Sequence, residues 1–361
     1  MPPVGTSVPA TGSHPRRIVG ASRRGADPAR PEEVPVTDAG APRPDGDRPR
    51  VVVGVDGSPP ARAALVTALG EAADRGAALE VVACYAGELY LMTSMVATAP
   101  DLAGLREDTA ARARELVADA RGDAALEAVP GVGDVPVDVV ASPEPAAHDL
   151  VDRSAGADLL VVGNRGRGAV RSAVLGSVAL HCVTAARCPV LVVHGTPEQR
   201  TAPGPVVVGV DGSPASRAAL NAAVDEAARI GADVEVLAAF SLDDAWSDLW
   251  TVVLPPVDQV YGQVLRRTRA VVDEVLAGRT DAPDVRVLAE EGPAGELLVA
   301  RAREASVLVV GGRGHSTLRG LLVGSVALHC AVAAPCPVLV VHPADRAVAA
   351  AEHAGAVAAA G

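Results

Sequence analysis

The chain has 361 residues, a hydrophobic share of 49%, and 32 basic against 44 acidic side chains, for a net charge of −12. That composition is typical of a globular protein and excludes a wholly disordered chain. The negative charge disfavours binding to nucleic acid or to an anionic membrane, because both need a dense cationic face. The length predicts two domains of about 150 residues each.

The sequence carries no signal for export or for membrane insertion. No apolar run approaches the roughly 18 residues of a membrane span, and no apolar segment follows the arginine pairs near the N-terminus. The five cysteines form no CxxC pair. A disulfide scaffold is not expected in a chain this long, so we expect a reduced, cytoplasmic protein with buried thiols.

The most informative feature of the sequence is an internal repeat. Three blocks return in the same order: VVVGVDGSP at 51–59 and 206–214, GSVALHC at 176–182 and 324–330, and CPVLVVH at 188–194 and 336–342. The first block returns after 155 residues and the other two after 148, so the second copy is seven residues shorter in its middle.

The repeat divides the chain into segments. We predict a first domain at 49–195 and a second at 205–343. Residues 1–48 are rich in Pro, Gly and Arg and are predicted to form a disordered tail. Residues 196–204 are predicted to be a linker, and 344–361 a flexible, Ala-rich tail.

Each copy alternates short Val- and Leu-rich runs with helical segments. Strands are predicted in the first copy at 50–56, 79–85, 137–141, 158–163 and 189–194, and in the second at 205–211, 233–240, 285–289, 306–311 and 337–342. Nearly continuous apolar strands separated by helices indicate a parallel sheet covered on both faces. The predicted fold is therefore α/β, with two tandem, doubly wound, five-stranded parallel-sheet domains of Rossmann-like type.

A glycine-rich loop follows the fourth strand of each copy. Residues 163–177 (GNRGRGAVRSAVLGS) and 311–325 (GGRGHSTLRGLLVGS) share the pattern G-x2-G-x9-G-S. Glycines let backbone N–H groups approach a phosphate, and the final Gly-Ser begins a helix whose N-terminus favours anions. The Ser177 hydroxyl would either cap that helix or donate to a phosphate. The loop therefore predicts an anion-binding site in each copy.

Asp56 and Asp211 end the first strand of each copy within the sequence GVDGS. In an open parallel sheet, ligands bind beyond the carboxyl ends of the strands. A carboxylate there can bind a ribose hydroxyl, an adenine amino group or Mg²⁺ through water, or can simply shape a turn. The sequence contains no Lys and no GxGxxG after strand one, which excludes a Walker P-loop and a dinucleotide fingerprint.

These motifs resemble the universal stress protein family in its tandem form, over roughly residues 50–194 and 205–342. The resemblance implies the strand order 3-2-1-4-5 and ATP as the ligand, with Mg²⁺ as an optional companion. In the first lobe it implies contacts from Gly54, Asp56, Gly163, Asn164, Arg165, Gly166, Arg167, Gly168, Gly176, Ser177 and Val178. In the second lobe it implies contacts from Gly209, Asp211, Gly311, Gly312, Arg313, Gly314, His315, Gly324, Ser325 and Val326.

Two further positions matter to this resemblance. Cys84 and Ala239 align with a residue late in strand two that touches adenine in the family. Glu144 departs from the pattern, because it aligns with Gly292, and the family usually has Gly there. If the lobes differ in nucleotide binding, we expect the first to be the weaker.

Neither a metal site nor a catalytic centre is predicted. His181-Cys182 and its repeat, His329-Cys330, invite a metal interpretation, but a metal needs three or four convergent ligands. The helical spacing favours packing for both cysteines. No Ser/His/Asp set or carboxylate pair recurs at matching positions in both lobes, so no general base is evident.

The predicted function is an ATP-binding regulator of the stress response that switches conformation or partner, and not an enzyme. Its two lobes would mimic the family's homodimer by pairing or packing their terminal strands, 189–194 and 337–342. A further homodimer and an unidentified protein partner are compatible with that arrangement. Two alternatives stay open: an adenine-nucleotide-using enzyme with slow ATP hydrolysis, and an interaction scaffold with vestigial sites.

Overall fold

The computed structural model describes residues 48–85, 102–166, 174–195, 204–241, 257–312 and 323–342. The first lobe contains strands β1 (Arg50–Val55), β2 (Ala78–Cys84), β3 (Val137–Ser142), β4 (Leu159–Gly163) and β5 (Val190–Val193). Its helices are α1 (Pro59–Asp74), α2 (Leu102–Arg121), α3 (Ala146–Arg153) and α4 (Ser177–Ala185). The predicted N-terminal tail, linker and C-terminal tail lie almost wholly outside the described residues.

The second lobe repeats this order of elements. Its strands are β6 (Val206–Gly209), β7 (Val234–Phe240), β8 (Val285–Glu291), β9 (Val307–Gly311) and β10 (Val338–Val341). Its helices are α5 (Pro214–Ile230), α6 (Val257–Leu276), α7 (Ala294–Arg301) and α8 (Ser325–Ala333). The predicted α/β fold is confirmed in both lobes.

The repeated GVDGSP block both ends a strand and begins a helix. Ser58 is the N-cap of α1, where its Oγ accepts a hydrogen bond from the Ala61 N–H at 3.4 Å, and Pro59 occupies the first helical position. Ser213 caps α5 in the same way, accepting from the Ser216 N–H at 3.1 Å. A serine cap followed by proline is a strong start signal, so the helix begins at once after the turn.

The ten strands form one sheet in the order β3-β2-β1-β4-β5-β10-β9-β6-β7-β8. Within each lobe all pairings are parallel, and each lobe has the expected order 3-2-1-4-5. Among the described strands, the single antiparallel pairing joins β5 to β10, with Leu191 opposite Leu339. The terminal strands therefore pair, as predicted, and the two half-sheets become continuous at the lobe junction.

Each face of this sheet carries a core that runs through both lobes. On one face α1, α2, α5 and α6 cover a cluster that includes Leu191 and Leu339. On the other face α3, α4, α7 and α8 cover a cluster that includes Val190 and Val338. All residues of β5 and β10 are buried, so the junction belongs to the core of the whole protein.

The seven-residue difference between the two copies lies in a single connection. Fifteen residues, 122–136, link α2 to β3, whereas eight residues, 277–284, link α6 to β8. The longer connection contains two short 3-10 turns, Ala124–Leu126 and Val132–Asp134. The extra residues therefore add a segment with two short turns to the first lobe, and the shorter connection of the second lobe has no equivalent of it.

His194 follows β5 and reaches from the first lobe into the second. Its Nε2 donates to the carbonyl oxygen of Ala331 in α8, at 2.8 Å. Burial lowers the pKa of His194 below the ordinary histidine value, and Arg165 nearby adds to that effect.

No helix in the part of the chain that the structure describes is both long and apolar enough to cross a membrane.

The burial of His194 predicts a loss of stability in acid. In the unfolded chain His194 is protonated near pH 6.5, whereas in the folded chain it resists protonation. The stability that the neutral, buried His194 contributes is therefore present above about pH 6.5 and is lost below it. Between about pH 7.5 and about pH 5.5, we expect the melting temperature of the His194→Gln variant to fall less than that of the unchanged protein. His148→Gln, at an exposed histidine, is the control; equal losses for all three proteins would contradict the prediction.

Candidate functional site

Each lobe has a cleft at the carboxyl ends of its parallel strands, where the order of strands reverses. The first has a volume of about 400 Å³ and is lined by Gly54, Val55, Asp56, Ala61, Val82, Cys84, Ala146, Leu150, Val162, Gly163, Arg165, Gly166, Gly176, Ser177, Val178 and Ala179. The second, of about 190 Å³, is lined by Gly209, Val210, Asp211, Ser216, Leu237, Ala239, Ala294, Leu298, Val310, Gly311, Gly324, Ser325, Val326 and Ala327.

Most of the predicted site residues are brought together in these clefts. Asn164 and Gly312 do not line the clefts; they lie at the base of each glycine loop. Cys84 and Ala239 both line their clefts, at equivalent positions. The predicted residues that lie outside the described part of the chain are Arg167, Gly168, Arg313, Gly314 and His315.

Sequence reasoning missed the apolar floor of each cleft. Leu150 of α3 lies under Gly54, so a Cβ on Gly54 would stand 2.7 Å from Leu150 Cδ1. Leu298 of α7 lies under Gly209 in the same way, at 2.9 Å. The sequence does contain a signal for these leucines, because the pattern P-A-x-x-x-L ends at each of them and recurs at the 148-residue offset.

Asp56 connects the end of β1 to the glycine loop. Its Oδ1 accepts a hydrogen bond from the Ser58 N–H at 2.9 Å, which makes it a turn residue. Its Oδ2 faces Gly166, since a Cβ on Gly166 would lie 2.7 Å from that oxygen. Asp211 forms the same turn with the Ser213 N–H, at 2.9 Å. Both carboxylates are exposed and border a cleft, so the turn role leaves them within reach of a ligand.

The first glycine of each loop is required by packing against a helix. A Cβ on Gly163 would lie 2.8 Å from the carbonyl carbon and oxygen of Pro60, at the start of α1. A Cβ on Gly311 would lie 2.8 Å from the carbonyl carbon of Ala215, at the start of α5. Any larger residue would push the helix away from the strand.

Hydrogen bonds fix the base of each glycine loop. Asn164 donates its N–H to the carbonyl of Val193 at 2.9 Å and accepts from the Gly176 N–H at 2.8 Å. Gly312 likewise donates to Val341 at 2.7 Å and accepts from Gly324 at 2.8 Å. The loop therefore leaves β4 or β9 and returns to nearly the same point, where α4 or α8 begins.

Helices α4 and α8 begin at the clefts without side-chain caps. Gly176 and Gly324 are the N-cap residues, with no side-chain hydrogen bond to the first turn. Ser177 is thus the first helical residue and not the cap, which decides against the capping role that the sequence left open. The first N–H groups of an α-helix have no partner within the helix, and the cleft-lining residues Ser177–Ala179 carry them here.

Two polar side chains of the first cleft bear on its chemistry. The Nε of Arg165 is buried without a hydrogen-bond partner in the part of the chain that the structure describes. Cys84 lies with its Sγ 4.0 Å from Asp149 Oδ2, and burial, with the charge of Asp149, raises the pKa of this thiol to about 12. Arg165 therefore offers a donor to an anion, whereas Cys84 is a neutral thiol and a poor nucleophile.

The Glu144 departure leaves the start of α3 unchanged. In the second lobe Gly292 has a φ of +139°, which favours glycine. In the first lobe the turn is made differently, because the Glu144 N–H donates to Ser142 Oγ at 3.2 Å. Ala146 and Ala294 begin equivalent helices and both line their clefts, so the substitution alters the turn and not the wall.

In the histidine–cysteine pairs of α4 and α8, the cysteine and the histidine beside it lie in different surroundings. Cys182 and Cys330 are fully buried in the core, and burial raises the pKa of each to about 12. The ring of His181 instead lies 5.2 Å from that of His148 in α3, centroid to centroid. Among the residues described, no group of three or more His, Cys, Asp or Glu side chains is placed to hold a metal ion.

Comparison with known proteins gives the family. The sequence profile of the universal stress protein family matches the chain twice, at residues 48–194 and 204–342. The chain belongs to the universal stress protein family. Each match covers one lobe, so the lobes are two tandem domains of this family.

Curated relatives and solved structures agree with this assignment. The chain is 36% identical over 306 residues to universal stress protein Rv2005c of Mycobacterium tuberculosis, covering 80% of this chain and 96% of that protein. It is 36% identical over 299 residues to Rv2623 of the same organism, covering 80% and 95%. A universal stress protein of Archaeoglobus fulgidus superposes with a TM-score of 0.55 at 17% identity, covering 81% and 98%, and shares the fold.

The close contact between Gly163 and Pro60 predicts a cost for any side chain there. Gly163→Ala should lower the free energy of unfolding by about 1–3 kcal/mol, because the added methyl group meets backbone atoms that cannot rotate away. The matched control is Gly133→Ala, where a Cβ would meet nothing within 4 Å; it should change stability by less than about 0.5 kcal/mol. Denaturant unfolding measures both, and equal stabilities would refute the packing role.

Proposed function

We propose that each lobe binds ATP in its cleft and that the protein is a nucleotide-dependent regulator of the stress response. The observation that carries this proposal is the pair of uncapped helix N-termini, α4 and α8, that face the two clefts beside the fixed bases of the glycine loops. Unpaired N–H groups and the positive end of a helix dipole favour phosphate at this position.

In the first cleft, the phosphates would accept from the backbone N–H groups of Ser177–Ala179 and from Arg165. The Nε of Arg165 supports this, because it is buried with no partner among the described residues, and such a donor is costly until an acceptor arrives. Arg167 and Gly168, and in the second lobe Arg313, Gly314 and His315, are proposed to complete the contacts, as the family resemblance implies.

The remainder of the nucleotide would lie along the floor of the cleft. Val82, Leu150 and Val162 form an apolar surface that suits an adenine ring. Asp56 stands between this floor and the glycine loop, so its carboxylate would accept from a ribose hydroxyl. When Mg²⁺ accompanies ATP, the same carboxylate is the group of this cleft that would hold it through water.

The clefts hold donors for phosphate but no evident base for its hydrolysis. Among the described lining residues, the ionisable side chains are Asp56, Cys84 and Arg165 in the first cleft and Asp211 in the second. Cys84 is held neutral, Arg165 is a cation, and each aspartate is engaged in its turn. We therefore propose a binding protein whose bound nucleotide orders the loops and is read by a partner, and not an ATPase.

A reducing, ATP-rich compartment suits this chemistry, so we propose that the protein acts in the cytoplasm. All five cysteines are free thiols, and four of them are buried. The lobes already pair within one chain, so a second chain is not needed to form the family's paired arrangement. A further homodimer and a separate protein partner are both compatible with the outer faces of the helices.

The proposal predicts the nucleotide content of the purified protein. The denatured chain should release two ATP, Gly166→Glu should release one, and Gly166→Glu with Gly314→Glu none, since a carboxylate repels phosphate and the position is crowded by Asp56. Gly133→Glu, which adds the same charge where a Cβ meets nothing, should still release two.

Two results would contradict this proposal in different ways. No nucleotide released, and none taken up from added ATP, would refute nucleotide binding and favour the interaction scaffold. ADP as the sole nucleotide after incubation with ATP would refute the non-enzymatic role and favour slow hydrolysis.

A further inference from the structure

A third cavity, of about 420 Å³, lies between the lobes, apart from the two clefts. It lies on the sheet face that α1 and α5 cover, and both lobes line it. Its walls are mostly apolar and include Leu126, Val129, Leu191, Ile230, Val307 and Leu339. Val129 and Ile230 are only half-buried, so the cavity is open to solvent on their side.

Ion pairs that join the two lobes lie at one end of this cavity. Glu71 of α1 and Arg75, the residue that follows α1, meet Glu226 and Arg229 of α5 in a closed ring, which we call the junction ring. Arg75 bridges Glu71 at 2.9 Å and Glu226 at 3.2 Å. Arg229 bridges the same two carboxylates, at 2.9 Å from Glu71 and also in contact with Glu226.

The ring and its neighbour carry an excess of negative charge. Asp74 lies 2.5 Å from Arg229, so three carboxylates face two guanidinium groups. Glu226 is more than nine-tenths buried, and burial together with Glu71 raises its pKa. Of these groups Glu71, Glu226 and Arg75 line the cavity, so its charged end carries two carboxylates against one guanidinium group and attracts a cation more than an anion.

The cavity does not follow from the symmetry of the repeat. Glu71 and Glu226 occupy equivalent positions, 155 residues apart, but the wall formed by Leu126 and Val129 belongs to the longer connection of the first lobe. The second lobe has a connection seven residues shorter at the equivalent place. The additional residues therefore enclose space beside the ring on one side of the junction only.

We propose that this cavity binds a small amphipathic cation, an organic ammonium ion with a compact hydrocarbon body. The hydrocarbon would lie against Leu126, Ile230 and Leu339, and the ammonium group would lie against the carboxylates of Glu71 and Glu226. Apolar walls with a few convergent charges are the usual make-up of a small-molecule site. Because both lobes line the cavity, the bound cation would stabilise the lobe junction.

The test uses the full chain with saturating ATP present, so that the clefts are occupied. The probe is 1-adamantylamine, a cation at neutral pH, and its matched control is 1-adamantanecarboxylate, which has the same hydrocarbon and the opposite charge. Isothermal titration calorimetry should show one amine bound per chain, with the carboxylate at least about tenfold weaker. The amine should also raise the melting temperature.

Variants locate the site. Gly70→Leu should abolish amine binding, because a Cβ there would lie 3.7 Å from Leu126 Cδ2 and the remaining side chain would fill the cavity. Thr67→Leu fills the same space from the same helix and serves if the first variant does not fold. Glu226→Gln should weaken the amine at least about tenfold, since it removes the surplus charge. Gly133→Leu, outside the cavity, should bind normally.

The outcomes separate this proposal from the one on ATP. No amine binding, or binding unchanged in both filled variants, would overturn the inter-lobe site. Equal binding of amine and carboxylate would overturn the assignment to a cation. The nucleotide content of the Gly70→Leu variant should equal that of the unchanged protein. If the unchanged protein contained no nucleotide, the proposal on ATP would fail, but the result for the amine would still hold.

Discussion

The antiparallel pairing of β5 with β10 is the interaction on which the rest of the structure depends. Because Leu191 stands opposite Leu339, two half-sheets become one, and each face of that sheet carries one core through both lobes. The same pairing brings α1 against α5, closing the junction ring, and brings His194 to the carbonyl of Ala331. The two lobes therefore share their buried surface and do not pack as independent bodies.

Glycine serves two purposes around the clefts, and only one concerns the proposed ligand. Gly163 lets β4 approach the backbone at the start of α1, and Gly54 makes room for Leu150. These contacts would need glycine in a protein that bound nothing. Gly166 and Gly176 belong to the loop and to the uncapped helix start. A glycine motif can therefore reflect the packing of the fold as well as the proposed phosphate site, because both need backbone without Cβ.

The two lobes have the same plan but different polar surroundings. Beneath the first cleft, Arg153 pairs with Asp149 and Glu80, and the latter also binds Arg50. In the second lobe Arg301 takes the equivalent place, with Glu235 and Glu290 as partners. A repeat can keep an ion pair in each lobe while the residues that line the clefts diverge, as Cys84 and Ala239 have. That divergence is where any difference in ligand preference between the lobes would arise.

The sequence by itself determined the repeat, the α/β class, most strand positions and the residues of the glycine loops, because period and turn chemistry are local properties. It did not reveal Leu150 and Leu298 as the cleft floor, because a helix face is assigned only once the helix packs. It left open whether Ser177 caps its helix or donates to a phosphate, and the structure rules out the cap because Gly176 is the N-cap residue. Only tertiary structure placed Glu71 beside Glu226 and enclosed a cavity between them and Leu126, since contacts between residues far apart in sequence follow from how the lobes meet.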